Sequence, residues 1–386
     1  MTQAASQQLI DSFGRTIDYL RVSVTDRCNF RCIYCMPEEG APVAPSDEIL
    51  TADEIIRLIR IASELGMSKI RLTGGEPLVR KDIKLLVCGV AALPLVHELS
   101  MTTNGFLLEP LVESFSRAGL TRVNISLDTL QPDRFTRIAR RGSLSQVLAA
   151  IDSSVEWGLS PVKINCVVMR GYNEDEVIDF ARLTLDKPVD VRFIELMPIN
   201  WSTGDDAPVP AMASIVPVNR SSESRLITLY ANNHLSTFRN SFQGIQPGSQ
   251  HGQLDAVQLR SAFVSSAEIH SAVESQFGDL VPAETVTNGP ARNYRIPGAV
   301  GTIGFISQIT NDMCARCNRL RLTADGQLRP CLMADGEVDL RLLLRSDAND
   351  NEIAEMFRIT VLHKPEQHRL EDGMAPIGRN MSQLGG

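Results

Sequence analysis

The feature that most restricts the fold is a regular alternation of strand-like and helix-like segments between Tyr19 and Glu195. The strand-like runs are YLRVSVT, KIRLTGG, HELSMTTNG, TRVNISLD, PVKINCVV and VDVRFIEL, and segments with helical periodicity such as TADEIIRLIRIASELG separate them. Strands that alternate with helices predict a parallel sheet with helical crossovers. Six such strands are too few to close an eight-stranded barrel. We therefore expect an α/β fold with an open, partial TIM-type (β/α)6 barrel.

The pattern changes after Met197. Residues 206–258 are rich in Ser, Asn, Gln and Pro without a clear period, which predicts a mobile insertion. Ordered structure is expected to resume near Phe263 with a capped amphipathic helix, and Asp325-Gly326 is a hairpin signal. The predicted organisation is a partial barrel over 1–199, a polar insertion over 200–262 and a smaller β-containing C-terminal module over 263–386.

Composition excludes some classes of function. The 386 residues include 38 Lys and Arg against 46 Asp and Glu, a formal net charge of −8, which argues against a nucleic-acid-binding protein with a broad basic face. No segment has the uninterrupted apolar stretch of a membrane span or a secretory signal, so we expect a cytoplasmic protein. Thiols stay reduced in that compartment, and clustered cysteines there predict metal or cluster ligands rather than disulfides.

Three cysteines lie in the loop after the first strand. In CNFRCIYC, Cys28, Cys32 and Cys35 have C-x3-C-x2-C spacing with no fourth cysteine nearby, and they form the first cysteine set. Three thiolates on a [4Fe–4S] cluster leave one iron without a protein ligand, which is the open position that a catalytic site needs. A structural zinc site is the alternative, but zinc sites favour paired C-x2-C knuckles with four ligands in total.

The next strand, KIRLT, runs directly into a glycine-rich turn, Gly74-Gly75-Glu76-Pro77. Glycines at a strand end allow the backbone to approach a ligand closely, and the Glu76 carboxylate can accept hydrogen bonds from an ammonium group. By itself this sequence is typical of an ordinary turn. Its position at the end of the strand that follows the first cysteine set favours a functional role.

A second group of cysteines lies near the C-terminus. Cys314 and Cys317 form C-x2-C, Cys331 follows on the far strand of the predicted hairpin, and the three form the second cysteine set. Period-two alternation places Arg319 and Arg321 on one face of the strand between them, where two guanidinium groups make a polydentate anion site. An ordinary solvated basic strand is the alternative. Beside an incompletely ligated cluster, we favour binding of a substrate phosphate or base.

The first cysteine set, with Tyr34 beside its last cysteine, resembles the hallmark motif of the radical S-adenosylmethionine (SAM) superfamily. In that superfamily a loop like GGEP binds the amino group of the methionine. The two cysteine sets, the runs VTDRCNFRCIYCMP and CNRLRLTADGQLRPCL, and the terminal Gly385-Gly386 together resemble the GTP 3′,8-cyclase family, the family of molybdenum cofactor biosynthesis protein A. The resemblance covers nearly the whole chain outside the insertion.

This resemblance implies two [4Fe–4S] clusters and SAM as cofactors. The open iron of the second cluster would bind the guanine of GTP, and the first cluster would generate a 5′-deoxyadenosyl radical that abstracts the ribose 3′ hydrogen. Attack of the 3′ carbon on C8 and reduction would give (8S)-3′,8-cyclo-7,8-dihydroguanosine 5′-triphosphate, which a downstream cyclic pyranopterin monophosphate synthase would consume. An electron donor and a homodimer are also implied.

The resemblance also assigns residues to the site, most of them near strand ends that face one mouth of the barrel. The expected GTP contacts are Arg21, Arg71, Thr102, Lys163, Arg319 and Arg321, of which Arg21, Arg319 and Arg321 are expected to take part in catalysis. The expected SAM contacts are Tyr34, Gly74, Gly75, Glu76, Ser126 and Met197, and further candidates for the triphosphate are Lys69 and Arg192. The Gly385-Gly386 end is expected to reach the active site, where side chains would not fit.

The sequence leaves other interpretations open. Another radical SAM enzyme with an auxiliary cluster, such as one that modifies a peptide, would usually carry more auxiliary cysteines. A zinc-stabilised binding protein without catalysis would use both cysteine sets structurally. The insertion, where the family usually has a short connection, could make the chain an inactive relative. Cys88 has no assigned role, and Cys166 is expected to pack in the core of a strand.

Overall fold

Strands and helices alternate along the chain in the computed structural model, which describes residues 8–197, 254, 256–284, 289–310, 313–334, 336–368, 379 and 381–385. The strands are β1 Tyr19–Ser23, β2 Lys69–Thr73, β3 Glu98–Thr103, β4 Arg122–Ser126, β5 Val162–Val168, β6 Val189–Glu195, β7 Val281–Pro282, β8 Arg292–Arg295, β9 Thr302–Ile306, β10 Arg319–Leu322, β11 Gln327–Arg329 and β12 Val338–Asp339. The helices are α1 Ala52–Glu64, α2 Ile83–Ala91, α3 Val112–Ala118, α4 Pro132–Ala139, α5 Leu144–Glu156, α6 Val177–Asp186, α7 Ala256–Ser261, α8 Ser266–Phe277, α9 Leu340–Leu344, α10 Asp350–Leu362 and α11 Met381–Leu384.

One sheet contains all of these strands, in the order β12-β11-β10-β1-β2-β3-β4-β5-β6-β9-β8-β7. The six predicted strands are β1 to β6, adjacent and parallel, with a helical crossover between each pair. Two C-terminal strands extend this parallel region, because β10 pairs with β1 and β9 pairs with β6. Within the described residues no pairing joins β7 to β12. The predicted open, partial barrel is therefore confirmed, with one further parallel strand on each side.

Local sequence signals set the helix boundaries as expected. Thr51 begins α1 with a reciprocal capping box, in which its hydroxyl accepts from the Glu54 N–H and the Glu54 carboxylate accepts from the Thr51 N–H. Ser265 and Glu268 form the same arrangement at the start of α8. Such caps satisfy backbone N–H groups that the first helical turn leaves without partners.

The two faces of each parallel strand have opposite character. Side chains at alternate positions, such as Leu20 and Val22 in β1, Ile70 and Leu72 in β2 and Phe193 in β6, are fully buried and apolar. The positions between them are polar and face the other side of the sheet, because successive side chains of a strand point in opposite directions. The apolar face builds the core, and the polar face lines the inside of the barrel.

Residues 200–253 of the predicted insertion lie outside the described residues. Helix α7 lies in the last part of the predicted insertion. The hairpin signal is confirmed, since β10 and β11 are antiparallel and Gly326 in their turn has a φ of +85°. The boundaries of the three predicted segments stay a prediction. In the described ranges no helix combines the length and the apolar character needed to cross a membrane.

Candidate active site

The first cysteine set lies in a loop beyond the carboxyl end of β1. The loop folds back on itself, because the Cys35 N–H donates to the Cys32 carbonyl at 2.9 Å and the Phe30 N–H donates to the Cys28 Sγ at 3.4 Å. Burial raises the pKa of the Cys28 thiol to about 11 and that of Cys35 to about 12. Cysteines bind iron as thiolates, so a cluster that binds here must displace the thiol protons of these cysteines.

The glycine-rich turn after β2 packs edge to edge against the segment that leads into the first cysteine set. The Gly75 N–H donates to the Thr25 carbonyl and the Glu76 N–H to the Arg27 carbonyl, both at 2.8 Å. A Cβ on Gly75 would lie 2.4 Å from the Arg27 carbonyl oxygen, and one on Gly74 would lie 2.4 Å from that of Thr25. The close approach that requires glycine is therefore made to the protein backbone, whereas the sequence suggested a ligand.

The Glu76 carboxylate is almost completely buried, and its hydrogen bonds are made to groups of the protein. It accepts hydrogen bonds from the Thr103 hydroxyl at 2.7 Å, the Asn104 N–H at 2.6 Å and the Leu78 N–H at 3.0 Å. Burial raises its pKa to about 7. The Asn104 amide in turn donates to Asn29 inside the cysteine loop at 2.7 Å. Glu76 thus joins the ends of β2 and β3 to the first cysteine set, and its role toward a methionine ammonium stays a prediction.

Tyr34 and Ser126 lie together beside the first cysteine set. The Tyr34 hydroxyl donates to the Asp128 carboxylate at 2.8 Å, and the Val167 N–H donates to the same carboxylate at 2.9 Å. Burial raises the pKa of Asp128 to about 6. A cavity of about 30 Å³ is lined by Cys32, Tyr34, Asn104, Ser126 and Asp128 together with apolar side chains. Asp128 was not predicted, although it follows directly on the strand NISL.

The second cysteine set approaches the sheet from the other end of the strands. Cys314 and Cys317 lie in a single helical turn just before β10, and Cys331 lies just after β11. Because β10 runs parallel to β1, the first set lies beyond the carboxyl end of this pair and Cys317 lies before its amino end. The Met333 N–H donates to the Cys331 Sγ at 3.4 Å. N–H···S hydrogen bonds of this kind are a recognised means of tuning iron–sulfur clusters.

Two rows of polar side chains cross the barrel interior between the cysteine sets. Strand register places Arg321, Arg21, Arg71, Ser100 and Arg122 in one row. It places Thr102, Asn124, Lys163, Asp190 and Thr302 in another. Five of the six predicted GTP residues are therefore brought together in these rows, and Arg319 pairs with Tyr19 two positions nearer the amino ends of the strands. The expectation that most lie at strand ends facing one mouth is wrong, because Arg21 and Arg71 lie at the centres of β1 and β2, and Lys163 and Arg319 lie at the amino ends of β5 and β10.

Among the described residues, the barrel interior carries an excess of positive charge. Its cations are Arg21, Arg71, Arg122, Lys163, Arg192, Arg319 and Arg321, and its carboxylates are Glu98, which pairs with Arg122, and Asp190, whose Oδ2 lies 3.9 Å from the Lys163 Nζ. Burial, with repulsion from Arg192 and Arg122, lowers the pKa of Lys163 to about 6. Burial also lowers the pKa of Arg192 and of Arg321 to about 10. A bound anion would relieve this repulsion.

Several buried polar atoms on the same face of the sheet have no hydrogen-bond partner among the described residues. They are the Tyr19 hydroxyl, the Thr102 hydroxyl, the Asn124 and Asn165 side-chain oxygens, Arg192 Nε and Nη2, and Arg319 Nε. Because burying an unpaired polar group is costly, their convergence indicates a site for a polar ligand. Tyr19, Arg122, Asn124, Asn165 and Asp190 were not predicted, although the period-two polar pattern of their strands was available.

Lys69, a predicted triphosphate contact, already has an anionic partner. Its ammonium lies 2.6 Å from the Asp18 carboxylate, which also accepts from the Asn318 amide at 2.6 Å. Arg192 differs, since it is almost completely buried and no carboxylate contacts it in the described part of the chain. Of these two further candidates, Arg192 is the better placed to meet an anion.

The C-terminal tail, residues 381–385, lies between the cysteine sets. The Ser382 N–H donates a hydrogen bond to the Cys35 sulfur, and Arg321 donates to the Gly385 carbonyl at 2.9 Å. Gly385 has a φ of +69°, and a Cβ there would lie 2.9 Å from the Thr73 Cγ2. Met197 and Cys331 each pack against a buried cluster formed by Leu332, Met333 and Leu384. Gly386 lies outside the described residues.

Within the described ranges, no three or more His, Cys, Asp or Glu side chains are arranged to hold a single metal ion. A zinc site needs its ligands to converge on one atom. A [4Fe–4S] cluster takes one cysteine per iron and has no need of that convergence. Cys88 is exposed on α2, and Cys166 is buried in β5 as predicted.

Comparison with known proteins agrees with this arrangement. The Radical SAM superfamily model matches residues 22–184, and the Molybdenum Cofactor Synthesis C model matches residues 250–370. GTP 3′,8-cyclase of Moorella thermoacetica is 42% identical over 377 residues, which is 97% of this chain and 99% of that protein. The enzyme of Heliobacterium modesticaldum is 44% identical over 98% of this chain and 100% of its own length. The chain belongs to the GTP 3′,8-cyclase family.

Membership in this family makes the chain a radical SAM enzyme, and that superfamily implies a [4Fe–4S] cluster and SAM. The first cysteine set, with its soft sulfur ligands and its N–H···S hydrogen bond, fits such a cluster. Among solved structures, Streptococcus suis SuiB bound to S-adenosylmethionine is similar in fold. The alignment covers 88% of the present chain and 68% of the SuiB chain, with 14% sequence identity and a TM-score of 0.44.

Proposed function

We propose that the chain catalyses the radical cyclisation of GTP to (8S)-3′,8-cyclo-7,8-dihydroguanosine 5′-triphosphate, an early step of molybdenum cofactor biosynthesis in the cytoplasm. The observation that carries this proposal is the excess of buried cations between the two cysteine sets. A chain with a net charge of −8 that gathers seven cationic side chains inside one barrel has a site for a highly charged anion.

The first cysteine set would hold the [4Fe–4S] cluster of the superfamily. Together with SAM, that cluster would supply the radical that removes the ribose 3′ hydrogen. Bonding of the 3′ carbon to C8, with addition of one electron and one proton, would then give the product. The proposed SAM contacts are Tyr34, Gly74, Gly75, Glu76 and Ser126 beside the cluster, and Met197, which packs against the C-terminal tail. Support comes from the Gly74–Glu76 turn, whose backbone is fixed against the segment before Cys28.

The triphosphate would bind to the rows of Arg21, Arg71, Thr102 and Lys163, with Arg192 as a further contact. Guanidinium groups bind phosphate oxygens in bidentate fashion, and a buried site strengthens each contact. Arg71 is already held by the Ser100 hydroxyl at 3.3 Å and lies over the Tyr19 ring, with 5.3 Å from its guanidinium carbon to the ring centre. These contacts orient its charge before the substrate arrives.

The second cysteine set would hold a second [4Fe–4S] cluster that contacts the guanine. Three cysteines leave one iron open for a substrate atom, and the backbone N–H donated to Cys331 matches the one donated to Cys28 in the first set. Arg319 and Arg321, on β10 next to this set, would hold GTP between the two clusters. With Arg21 they are the residues that we assign to catalysis, as groups that contact the reacting substrate.

The C-terminal tail would complete the site. Arg321 contacts both the tail and the proposed substrate position, so the tail can set the direction of its guanidinium group. An external one-electron donor would reduce the clusters, and a cyclic pyranopterin monophosphate synthase would consume the product. We also propose that the chain acts as a homodimer.

An anaerobic assay with GTP, SAM and a reductant tests the proposal. The expected products are 5′-deoxyadenosine and the 3′,8-cyclised nucleotide in equal amounts, from protein that holds about eight iron atoms per chain. Formation of 5′-deoxyadenosine without a cyclised nucleotide would refute GTP as the substrate while sparing the radical chemistry. Absence of iron, with bound zinc instead, would refute the enzyme class.

A further inference from the structure

Two buried cations near the second cysteine set have no part in the proposed chemistry. Lys364 follows α10 and is 3% exposed, and Arg15, before β1, is 8% exposed. Neither lies on the polar face of the barrel strands. Neither residue belongs to a sequence motif, because both lie in connecting segments.

The Lys364 ammonium joins the separate segments that carry two of the cysteines. It donates to the Arg319 carbonyl at 2.9 Å and to the Pro330 carbonyl at 2.6 Å, and its charge acts on the nearby Cys317 sulfur. Pro330 directly precedes Cys331. An ammonium group has three N–H donors, and two of them join the segments that carry Cys317 and Cys331.

Arg15 holds the remaining cysteine. Its Nη1 donates to the Cys314 carbonyl at 2.7 Å, and its Nη2 donates to the Pro365 carbonyl at 2.6 Å. Its Nε lies 2.5 Å from the Asp11 carboxylate, which balances its charge. Arg15 therefore ties Cys314 to the chain segment that immediately follows Lys364.

The charges of these two cations are balanced differently. Asp11 neutralises Arg15, whereas no carboxylate among the described residues pairs with Lys364. A buried ammonium without a counter-charge is costly, and carbonyl dipoles offset only part of that cost. The negative charge that would offset this cost is that of the cysteine thiolates and of the cluster that they would hold.

We infer that Lys364 is a positioning residue for the second cluster: it fixes Cys317 and Cys331 relative to each other, and its charge raises the reduction potential of the cluster that they hold. The inference rests on the proposed function, since it requires the second cysteine set to bind a cluster. Reduction adds one negative charge to a cluster. A buried cation in contact with a ligand sulfur stabilises that added charge more strongly than a solvated one would.

The experiment uses a parent variant of the full chain in which Cys28, Cys32 and Cys35 are replaced by Ala, so that only the second cysteine set can bind iron. Lys364→Met, Lys364→Arg and the control Lys84→Met, at an exposed position on α2, are then added separately. Anaerobic iron content, the rate of iron loss to a chelator and the midpoint potential followed by electron paramagnetic resonance are measured.

We expect Lys364→Met to lose iron to the chelator about 10-fold faster or more, which is the usual effect of removing an outer-shell partner, and to have a more negative midpoint potential. Lys364→Arg keeps the charge and should keep the potential close to that of the parent. Lys84→Met should match the parent in every measurement.

The outcomes distinguish the presence of a second cluster from the role of Lys364. A parent that binds no iron would overturn the second cluster, and the role of Lys364 with it. A parent with about four iron atoms, whose potential and iron loss are unchanged by Lys364→Met, would overturn the role of Lys364 alone. If Lys364→Met yields no soluble protein, Lys364→Gln keeps amide donors without the charge, and an unchanged potential in that variant would equally overturn the inference.

Discussion

The Arg321 guanidinium donates a hydrogen bond to the Gly385 carbonyl oxygen at 2.9 Å. Arg321 belongs to β10 and is in register with Arg21 and Arg71 on the neighbouring strands. The contact therefore joins this row of arginines to Gly385, the last described residue of the chain. The same tail reaches Cys35 through the Ser382 N–H. The C-terminal tail therefore contacts both the first cysteine set and the cationic row, and changes in it should affect how substrate is held more than how the cluster is bound.

Gly385→Ala, and deletion of Gly385 and Gly386, should reduce cyclisation while SAM cleavage continues. A Cβ at Gly385 would lie 2.9 Å from the Thr73 Cγ2 and would push the tail away from Arg321. We expect cyclised product to fall by about 100-fold, because a misplacement of 1 Å can cost about that much, and the ratio of 5′-deoxyadenosine to cyclised nucleotide to rise.

Gly298→Ala is the matched control for this prediction. Gly298 has a similar φ of +83°, but nothing lies within 4 Å of the position its Cβ would take. The substitution introduces the same backbone strain without the crowding, so it should leave the product ratio unchanged. An equal loss of product in both variants would mean that the tail has no specific role.

GTP binding should be coupled to proton uptake at Lys163. Burial and the neighbouring arginines lower the pKa of its ammonium to about 6, so above that pH the side chain is mostly neutral before substrate binds. The triphosphate favours the charged form and raises the pKa again. Affinity should therefore fall as pH rises, by up to about 10-fold per unit above a pH of about 6.

Calorimetry in buffers of different ionisation enthalpy measures this uptake directly. At a pH of about 7.5 we expect close to one proton bound per GTP, and the uptake should disappear in Lys163→Met. Lys187→Met, at an exposed lysine paired with Asp152, is the control and should behave like the parent protein. Binding without proton uptake in the parent would place the triphosphate away from Lys163.

Gly75→Ala should destabilise the loop that carries the first cysteine set. The added Cβ would lie 2.4 Å from the Arg27 carbonyl, and neither backbone can move without breaking the hydrogen bonds between them. We expect the free energy of unfolding to fall by about 1 to 3 kcal/mol and iron at the first set to decrease. Gly171→Ala, where nothing lies within 4 Å, should retain full iron content.

Much of this architecture could be read from local sequence, and the reasons for success and failure are physical. The strands β1 to β6 and the caps at Thr51 and Ser265 follow from periodicity and residue type over short windows. The parallel pairing of β10 with β1 joins residues about three hundred positions apart, and no local signal reports it. Without that pairing, the row from Arg321 to Arg122 cannot be assembled. Lys364 and Arg15 were also missed, because they hold the second cysteine set through backbone carbonyls of distant segments, which no motif reports.

Glu195→Gln should release the loop that leads to the second cysteine set. The Glu195 carboxylate is fully buried at the end of β6, and it accepts from the Ser266 N–H at 2.9 Å, the Ile309 N–H at 3.0 Å and the Thr310 hydroxyl at 2.5 Å. Thr310 lies a few residues before Cys314. In Gln an NH2 group replaces one carboxylate oxygen, so a hydrogen-bond acceptor becomes a donor. At least one of the three groups that donate to Glu195 then has no acceptor.

We expect Glu195→Gln to lower the free energy of unfolding by about 2 to 3 kcal/mol, since hydrogen bonds to a buried charged group are lost. Iron held by the second cysteine set should decrease, whereas iron at the first set should not, because Glu76 and Asn104 hold that loop independently. Glu156→Gln, at an exposed position on α5, is the control. Equal loss of iron from both sets would show that Glu195 supports the barrel as a whole and not the second site.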